Sequence, residues 1–281
     1  MEGRESMNYG LPYMGSKSRI CDWLMAHLPP AETFVDLFAG GCAVTHAALI
    51  SGRYQHFIAN DIQGEFPRLF LRIATEGLKP EEFYPISREE FELRKADPLI
   101  RLVWSFGNQG KSYLYAKDIE PLKLAGHEIC IAKTYKDRYT AYKKFLSLLF
   151  CVSKKENVVE LQAIEGLQRL QELEALERLE ALERDYKDVQ IPANSTVYAD
   201  PPYSGTAKYG SGVFNHTEFY EWLRNTPFPV YVSEYSMPDD FICVAETELK
   251  SILGSNSKSV TECLFLHKRF AERHEQQTFN F

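Results

Sequence analysis

The sequence predicts an α/β fold, a mainly parallel sheet whose strand and helix alternation breaks off near residue 66 and resumes after about residue 158. Three observations predict it. The stretch "TFVDLFAGGCAVTHAALISG", residues 33 to 52, followed by "HFIAND", residues 56 to 61, reads as strand, glycine turn, helix, strand and terminal acid, which is a βαβ unit. The stretch "TVYAD", "EFYEWLRN", "FPVYVSEYS" between residues 196 and 236 restores that alternation. Between the two lies mixed text with helical patches such as "EEFELRKA" and the turn-rich "SFGNQGKSYLY", residues 105 to 115.

A chain of 281 residues with 44% hydrophobic residues is long and apolar enough to bury a full core. The start, "MEGRESMNYG", has no apolar run of signal-peptide length, and nowhere is there a membrane-spanning apolar run, so a cytoplasmic protein is expected. The six cysteines are far apart in sequence, with no zinc-like spacing and no histidine cluster, so reduced thiols and no metal are expected.

In the first βαβ unit the glycines Gly40 and Gly41 permit close approach of a ligand to the backbone, although a full Gly-x-Gly-x-x-Gly fingerprint is missing. Asp61, at the end of the second strand, is placed to accept hydrogen bonds from ribose hydroxyls, so a nucleoside-bearing ligand is expected. Asp36 is either a turn-stabilising acid or the partner of a positive group on that ligand.

Net charge is −7, but residues 101 to 155 carry eleven Lys and Arg against four Asp and Glu, a local +7. Such a segment is either a solvated face or a phosphate-binding one. Residues 161 to 184 then place an apolar residue at every third position, with near-identical hexads "LQELEA" and "LERLEA". The residue types favour a helix, but the spacing does not hold one face, so the expectation is a helix, with short stacked leucine-rich turns as the alternative.

The most informative stretch is "VYADPPY", residues 197 to 203. Two prolines cannot extend a ladder, so the strand ends and a rigid turn sits at its carboxyl end, where α/β sheets bind ligands. Asp200 and the Pro201 carbonyl are acceptors, Pro202 stiffens the turn, and Tyr203 offers an aromatic face. Together they suit a flat heterocycle with an exocyclic amine, whose lone pair becomes directional when both N–H groups are held.

These residues, with "FVDLFAGG" upstream and "PYMGSK" near the start, resemble the Dam-type adenine-specific DNA methyltransferases over roughly residues 8 to 66 and 183 to 270. The resemblance implies a Rossmann-like methyltransferase core, residues 1–66 and 158–281, with a mostly helical target-recognition domain inserted at 67–157. It implies S-adenosylmethionine as cofactor, double-stranded DNA as partner and transfer to the N6 amine of a flipped adenine. A monomer with no required restriction endonuclease is expected.

Carried over by motif, the cofactor contacts are Tyr13, Gly15 and Lys17, then Asp36, Phe38, Ala39, Gly40 and Gly41, then Asp61 and Asp200. Cys42 stands where many relatives have a third glycine. Asp185 and Tyr186 in "RDYKDV" resemble the element that holds the cofactor's adenine, Tyr186 being otherwise a core aromatic. Asp200, Pro201, Pro202 and Tyr203 match the catalytic tetrapeptide, and "KYGSGVF" after it, with Tyr209 and Phe214, is expected to cover the flipped base. Asn108, Gln109, Lys111 and Ser112 at a hairpin tip suit base edges, and Lys133, Lys136 and Arg138 suit phosphates. Cytosine N4, RNA adenine or a protein glutamine amide are alternative acceptors, and a non-catalytic DNA-binding protein on the same scaffold is the alternative class.

Overall fold

The computed structural model describes residues 8–13, 15–108, 110–149, 174–203, 214–250 and 259–271. They form two compact units, one of residues 1–10, 17–71 and 173–281, the other of residues 11–16 and 72–172, with the chain passing from one to the other within a helix.

In the first unit, α1 (Cys21–His27) precedes β1 (Thr33–Asp36), α2 (Ala43–Ser51), β2 (His56–Asn60) and α3 (Glu65–Glu76). Every residue of β1 is buried, and β2 is buried after its first residue, the continuous apolar run expected of parallel strands covered on both faces. The second unit carries α4 (Arg88–Arg94), α5 (Pro98–Val103), α6 (Glu120–Ile131) and α7 (Tyr135–Leu149). Ser87 and Asp97 cap α4 and α5 by accepting from the backbone N–H groups of Glu90 and Leu99, at 3.1 and 2.9 Å. Its small core is Ile86, Phe91, Ile100, Trp104 and Tyr113, with Trp104 and Tyr113 stacked 6.4 Å apart.

The chain then returns to the first unit as β3 (Leu179–Leu182), β4 (Ser195–Ala199), α8 (His216–Asn225), β5 (Val230–Glu234), β6 (Phe241–Lys250) and β7 (Ser259–His267). The seven strands are ordered β3-β2-β1-β4-β5-β7-β6. The first five are parallel, and β7 is antiparallel to both β5 and β6. The order reverses at β1, so the carboxyl ends of β1 and β4 flank the switch point where α/β sheets bind ligands. Beneath it, Val35, Val197, Val232, Phe219 and Leu223 share one core between the sheet and α8.

The leucine repeat corrects the helical expectation where it can be followed. Residues 161–173 lie outside the described residues, while Glu174–Arg178 form a 3-10 turn and Leu179–Leu182 an edge strand paired in parallel with β2. The same hexad composition serves a strand because the edge of β2 offers backbone partners, a tertiary gain that overrides local helix propensity. The pair β6 and β7 was not anticipated from the sequence, and it brings side chains far apart in the chain together: Cys243 Sγ, Cys263 Sγ and a Glu246 carboxylate oxygen lie within 4.8 Å of one another. A bulge between Cys243 and Ala245 shifts the register there.

Candidate active site

Three acids stand at the carboxyl ends of adjacent parallel strands: Asp36 ends β1, Asp61 follows β2 and Asp200 follows β4. Asp36 is buried, and Thr45 Oγ1 on α2 donates to its Oδ2 at 2.9 Å. Its Oδ1 has no hydrogen-bond partner among the described residues. Burial pushes the carboxyl up to about 7, against the Thr45 hydrogen bond, with the Asp200 and Asp61 charges adding to the rise. An orphaned, buried acceptor of this kind is suited to a positively charged ligand group.

The turn after β1 is held by β2. Ala39 N donates to the Asn60 carbonyl at 2.8 Å, and Gly40 N donates to Asp61 Oδ2 at 2.9 Å. The other Asp61 oxygen accepts from Gln63 N at 2.8 Å, and burial still raises its pKa. Asp61 therefore anchors the glycine turn, with lone pairs left over on both oxygens. Cys42 has φ +60°, so it adopts the left-handed conformation that a glycine would take, and the turn keeps its path without a third glycine.

Gly10 was missed by sequence reasoning. Its φ is +69°, and a Cβ there would lie 2.5 Å from the Gly41 carbonyl oxygen and 2.6 Å from Ala43 N, so only glycine lets these backbones pack. Its N–H donates to His46 Nδ1 at 3.0 Å, and burial lowers the imidazole to about 4, leaving it neutral. Asn60 was missed too: its Nδ2 donates to the Leu37 and Arg184 carbonyls, both at 3.1 Å, and its Oδ1 accepts from Arg184 N at 3.1 Å. That side chain ties the end of β2 to the segment leading into Asp185.

Asp185 is partly exposed and caps a 3-10 turn by accepting from Lys187 N at 3.0 Å. Tyr186 is buried in an aromatic group with Phe38 at 5.4 Å, Phe219 at 5.2 Å and Trp222 at 5.0 Å. Phe214 joins the same group, 5.7 Å from Phe38, while Tyr209 lies outside the described residues.

Around the tetrapeptide the side chains converge. Lys17, its side chain 11% exposed, places Nζ 2.9 Å from Asp200 Oδ1 and 3.7 Å from Glu262 Oε1, and 4.5 Å from the Tyr203 ring centroid. Burial alone would lower the lysine, but the Asp200 and Glu262 carboxylates outweigh it and raise its pKa. Burial raises Asp200, with Lys17 opposing, and likewise raises Glu262. The Tyr203 hydroxyl donates to Glu262 Oε1, and its ring meets the edge of Tyr235 with centroids 4.6 Å apart. His216 Nε2 donates to the Pro202 carbonyl at 2.8 Å, whereas no donor among the described residues reaches the Pro201 carbonyl. Glu262 and His216 have no sequence motif to announce them; His216 reaches the turn from the start of α8 and Glu262 from β7, far along the chain.

Tyr13 and Gly15 belong to the second unit, where the Tyr13 carbonyl accepts from Ser16 N at 3.1 Å and Gly15 has φ +79°. There too, Ser105 and Tyr113 bridge antiparallel and Phe106 N donates to the Ser112 carbonyl at 2.9 Å, closing the expected hairpin. Lys111 and Ser112 are exposed at its tip, and Gln109 lies outside the described residues. Asn108 Nδ2 donates one hydrogen to the Leu102 carbonyl at 2.6 Å, which leaves its second N–H and its Oδ1 for a base edge. Lys133, Lys136 and Arg138 are exposed around the start of α7, with Arg138 Nη2 bonded to the Ala132 carbonyl at 3.1 Å.

Among the described residues no helix is long and apolar enough to cross a membrane. The family model for D12 class N6 adenine-specific DNA methyltransferases matches residues 13–222, most of the chain, and ends before β5 and β7. No curated protein matches the chain.

Proposed function

Because this chain belongs to the D12 class of N6 adenine-specific DNA methyltransferases, we propose that its reaction centre is the cluster around Asp200 at the carboxyl ends of β1, β2 and β4. The reaction is transfer of a methyl group from S-adenosylmethionine to the N6 amine of adenine in DNA. The observation that carries the assignment is the turn itself: Asp200, a Pro201 carbonyl that no donor among the described residues reaches and the Tyr203 ring stand together, with Lys17 against the carboxylate.

In this reading Asp200 and the Pro201 carbonyl accept the two N–H groups of the adenine amine. Holding both directs the nitrogen lone pair out of conjugation, and Tyr203 stacks on the base. The base has to leave its duplex to be held so, at a cost of a few kcal/mol that the stacking and hydrogen bonds offset. Pro202, fixed by His216, keeps the turn from following the base.

The residues fit the cofactor. The orphaned Asp36 Oδ1 suits a cationic group, the turn Phe38-Ala39-Gly40-Gly41 brings backbone close, and Asp61 retains lone pairs for ribose hydroxyls. When bound, the cofactor supplies a methyl group made electrophilic by its sulfonium. Tyr13, Gly15 and Lys17 are assigned to the same ligand, with Asp185 and Tyr186 on its adenine. Lys133, Lys136 and Arg138 take phosphates of double-stranded DNA, while Lys111, Ser112 and the Asn108 oxygen, with Gln109, take base edges. We assign catalysis to residues 1–66 and 158–281 and target recognition to 67–157, in a cytoplasmic monomer that needs no nuclease partner.

Sequencing of modified bases in DNA from cells expressing the protein tests this. N6-methyladenine in a defined sequence context is expected. DNA without added N6-methyladenine rejects the reading.

A further inference from the structure

Glu262 lies on β7 with only 1% of its surface exposed. A carboxylate buried to that degree requires partners, because desolvation otherwise outweighs its retention. Among the described residues its two side-chain partners belong to the proposed transfer site: one oxygen, Oε1, accepts from the Tyr203 hydroxyl and faces the Lys17 ammonium at 3.7 Å. Lys17 stands closer still to Asp200, at 2.9 Å. One ammonium therefore serves two buried carboxylates.

The strand arrangement brings this about. β7 runs antiparallel to β5 with Cys263 opposite Glu234, so Glu262 arrives level with the carboxyl end of the parallel strands. Without its charge, Lys17 would pair with Asp200 alone, and the ammonium would compete with the target amine for that carboxylate. The Tyr203 hydroxyl would lose the carboxylate that accepts from it, a loss the edge contact of its ring with Tyr235 does not replace.

We propose that Glu262 is a positioning residue for methyl transfer: by sharing Lys17 with Asp200 and holding the Tyr203 hydroxyl, it keeps Asp200 open to the amine and the stacking ring in place. This rests on the assignment of Asp200 and Tyr203 given above. Glu262 acts through Lys17 and Tyr203 and touches neither base nor cofactor. Net charge across the three ionic groups is −1, which also suits a site that receives a sulfonium.

The test uses the full chain, plasmid DNA free of N6-methyladenine and tritiated-methyl S-adenosylmethionine, with single-turnover rates, KM for DNA and cofactor Kd measured together. Glu262→Gln keeps the size and removes the charge. Its single-turnover rate constant is expected to fall roughly 10- to 100-fold, the worth of a buried charged hydrogen bond, with Kd and KM within about threefold of the parent. Glu262→Asp, which restores the charge, is expected to recover part of that rate. Parental rate in Glu262→Gln overturns the proposal, and so does a loss of binding in step with rate, since that would indicate a merely structural role. If Glu262→Gln does not fold, Tyr203→Phe removes the hydroxyl arm alone; it is expected to slow transfer about tenfold with binding kept, and parental speed there overturns the proposal. Asp200→Ala run alongside separates the two readings. Active Asp200→Ala rejects the tetrapeptide assignment, whereas inactive Asp200→Ala beside a fully active Glu262→Gln rejects only the role of Glu262.

Discussion

The cluster around Asp200 and the basic helix α7 solve opposite problems. In the first, Lys17, Asp200, Tyr203 and Glu262 are buried or nearly so and bonded to one another, so their geometry is set before any ligand arrives. In the second, Ala141 is the buried residue of a fifteen-residue helix, and Tyr135 and Tyr139 are 84% and 50% exposed. Chemistry on one amine rewards preorganisation, because groups already oriented cost no rearrangement at the moment of reaction. Contact with a phosphate backbone rewards exposed cations on long flexible stems, whose attraction is long-ranged and tolerant of position.

If that contrast holds, substitutions in the buried cluster act on stability and transfer together, and those on α7 act on DNA affinity alone. The largest effect is expected for Lys17→Met. It leaves two buried carboxylates without their shared cation, a loss of about 3–5 kcal/mol of folding stability by chemical denaturation, with transfer abolished. Next is Gly10→Ala, where the added Cβ meets backbone atoms at 2.5 Å and the left-handed φ adds strain. About 2–3 kcal/mol of destabilisation and weaker cofactor binding by calorimetry are expected.

A smaller effect is expected for the triple variant Lys133→Ala, Lys136→Ala, Arg138→Ala. The slope of log affinity for DNA against log salt should shrink by about 2–3, at about 0.9 per phosphate contact. Its saturated turnover should stay at the parental value. The smallest effect is a pH dependence. Burial holds the folded Asp36 near 7, above its unfolded value, so this group favours folding at low pH and that contribution fades as pH rises toward 7. Binding of a cation at its ionised form runs the other way. Cofactor affinity measured by calorimetry should rise by less than about tenfold between about pH 6 and 8, and Asp36→Asn should flatten the curve.

The parts of this molecule legible in the sequence were those encoded by neighbours in the chain. Asp36, the glycine turn, Asp61 and the Asp-Pro-Pro-Tyr turn each follow directly on an apolar run; β1, β2 and β5 fall within the stretches read as strands, and β4 starts one residue before its stretch. What was not legible depends on distant partners. Leu179–Leu182 is a strand because β2 lies beside it, not because its residues favour one. Glu262 is an ordinary acid in "SVTECLFLH" until β7 inserts between β5 and β6. Gly10 carries no motif, and the φ and the approach of Gly41 that require it are set by the folded turn. For Tyr186 the motif favours a ligand contact only slightly over a core aromatic, and its burial among Phe38, Phe219 and Trp222 is set by partners distant in the chain.

The role proposed for Asp200 is to hold the amine that receives the methyl group. The most direct measurement is mass analysis of nucleosides digested from duplex DNA after reaction with deuterated-methyl S-adenosylmethionine, for the parent chain and Asp200→Ala side by side. Label is expected in N6-methyldeoxyadenosine for the parent, with a loss of about a thousandfold or more for the variant, which still binds cofactor. Comparable labelling by Asp200→Ala, or label on cytosine instead of adenine, would contradict it.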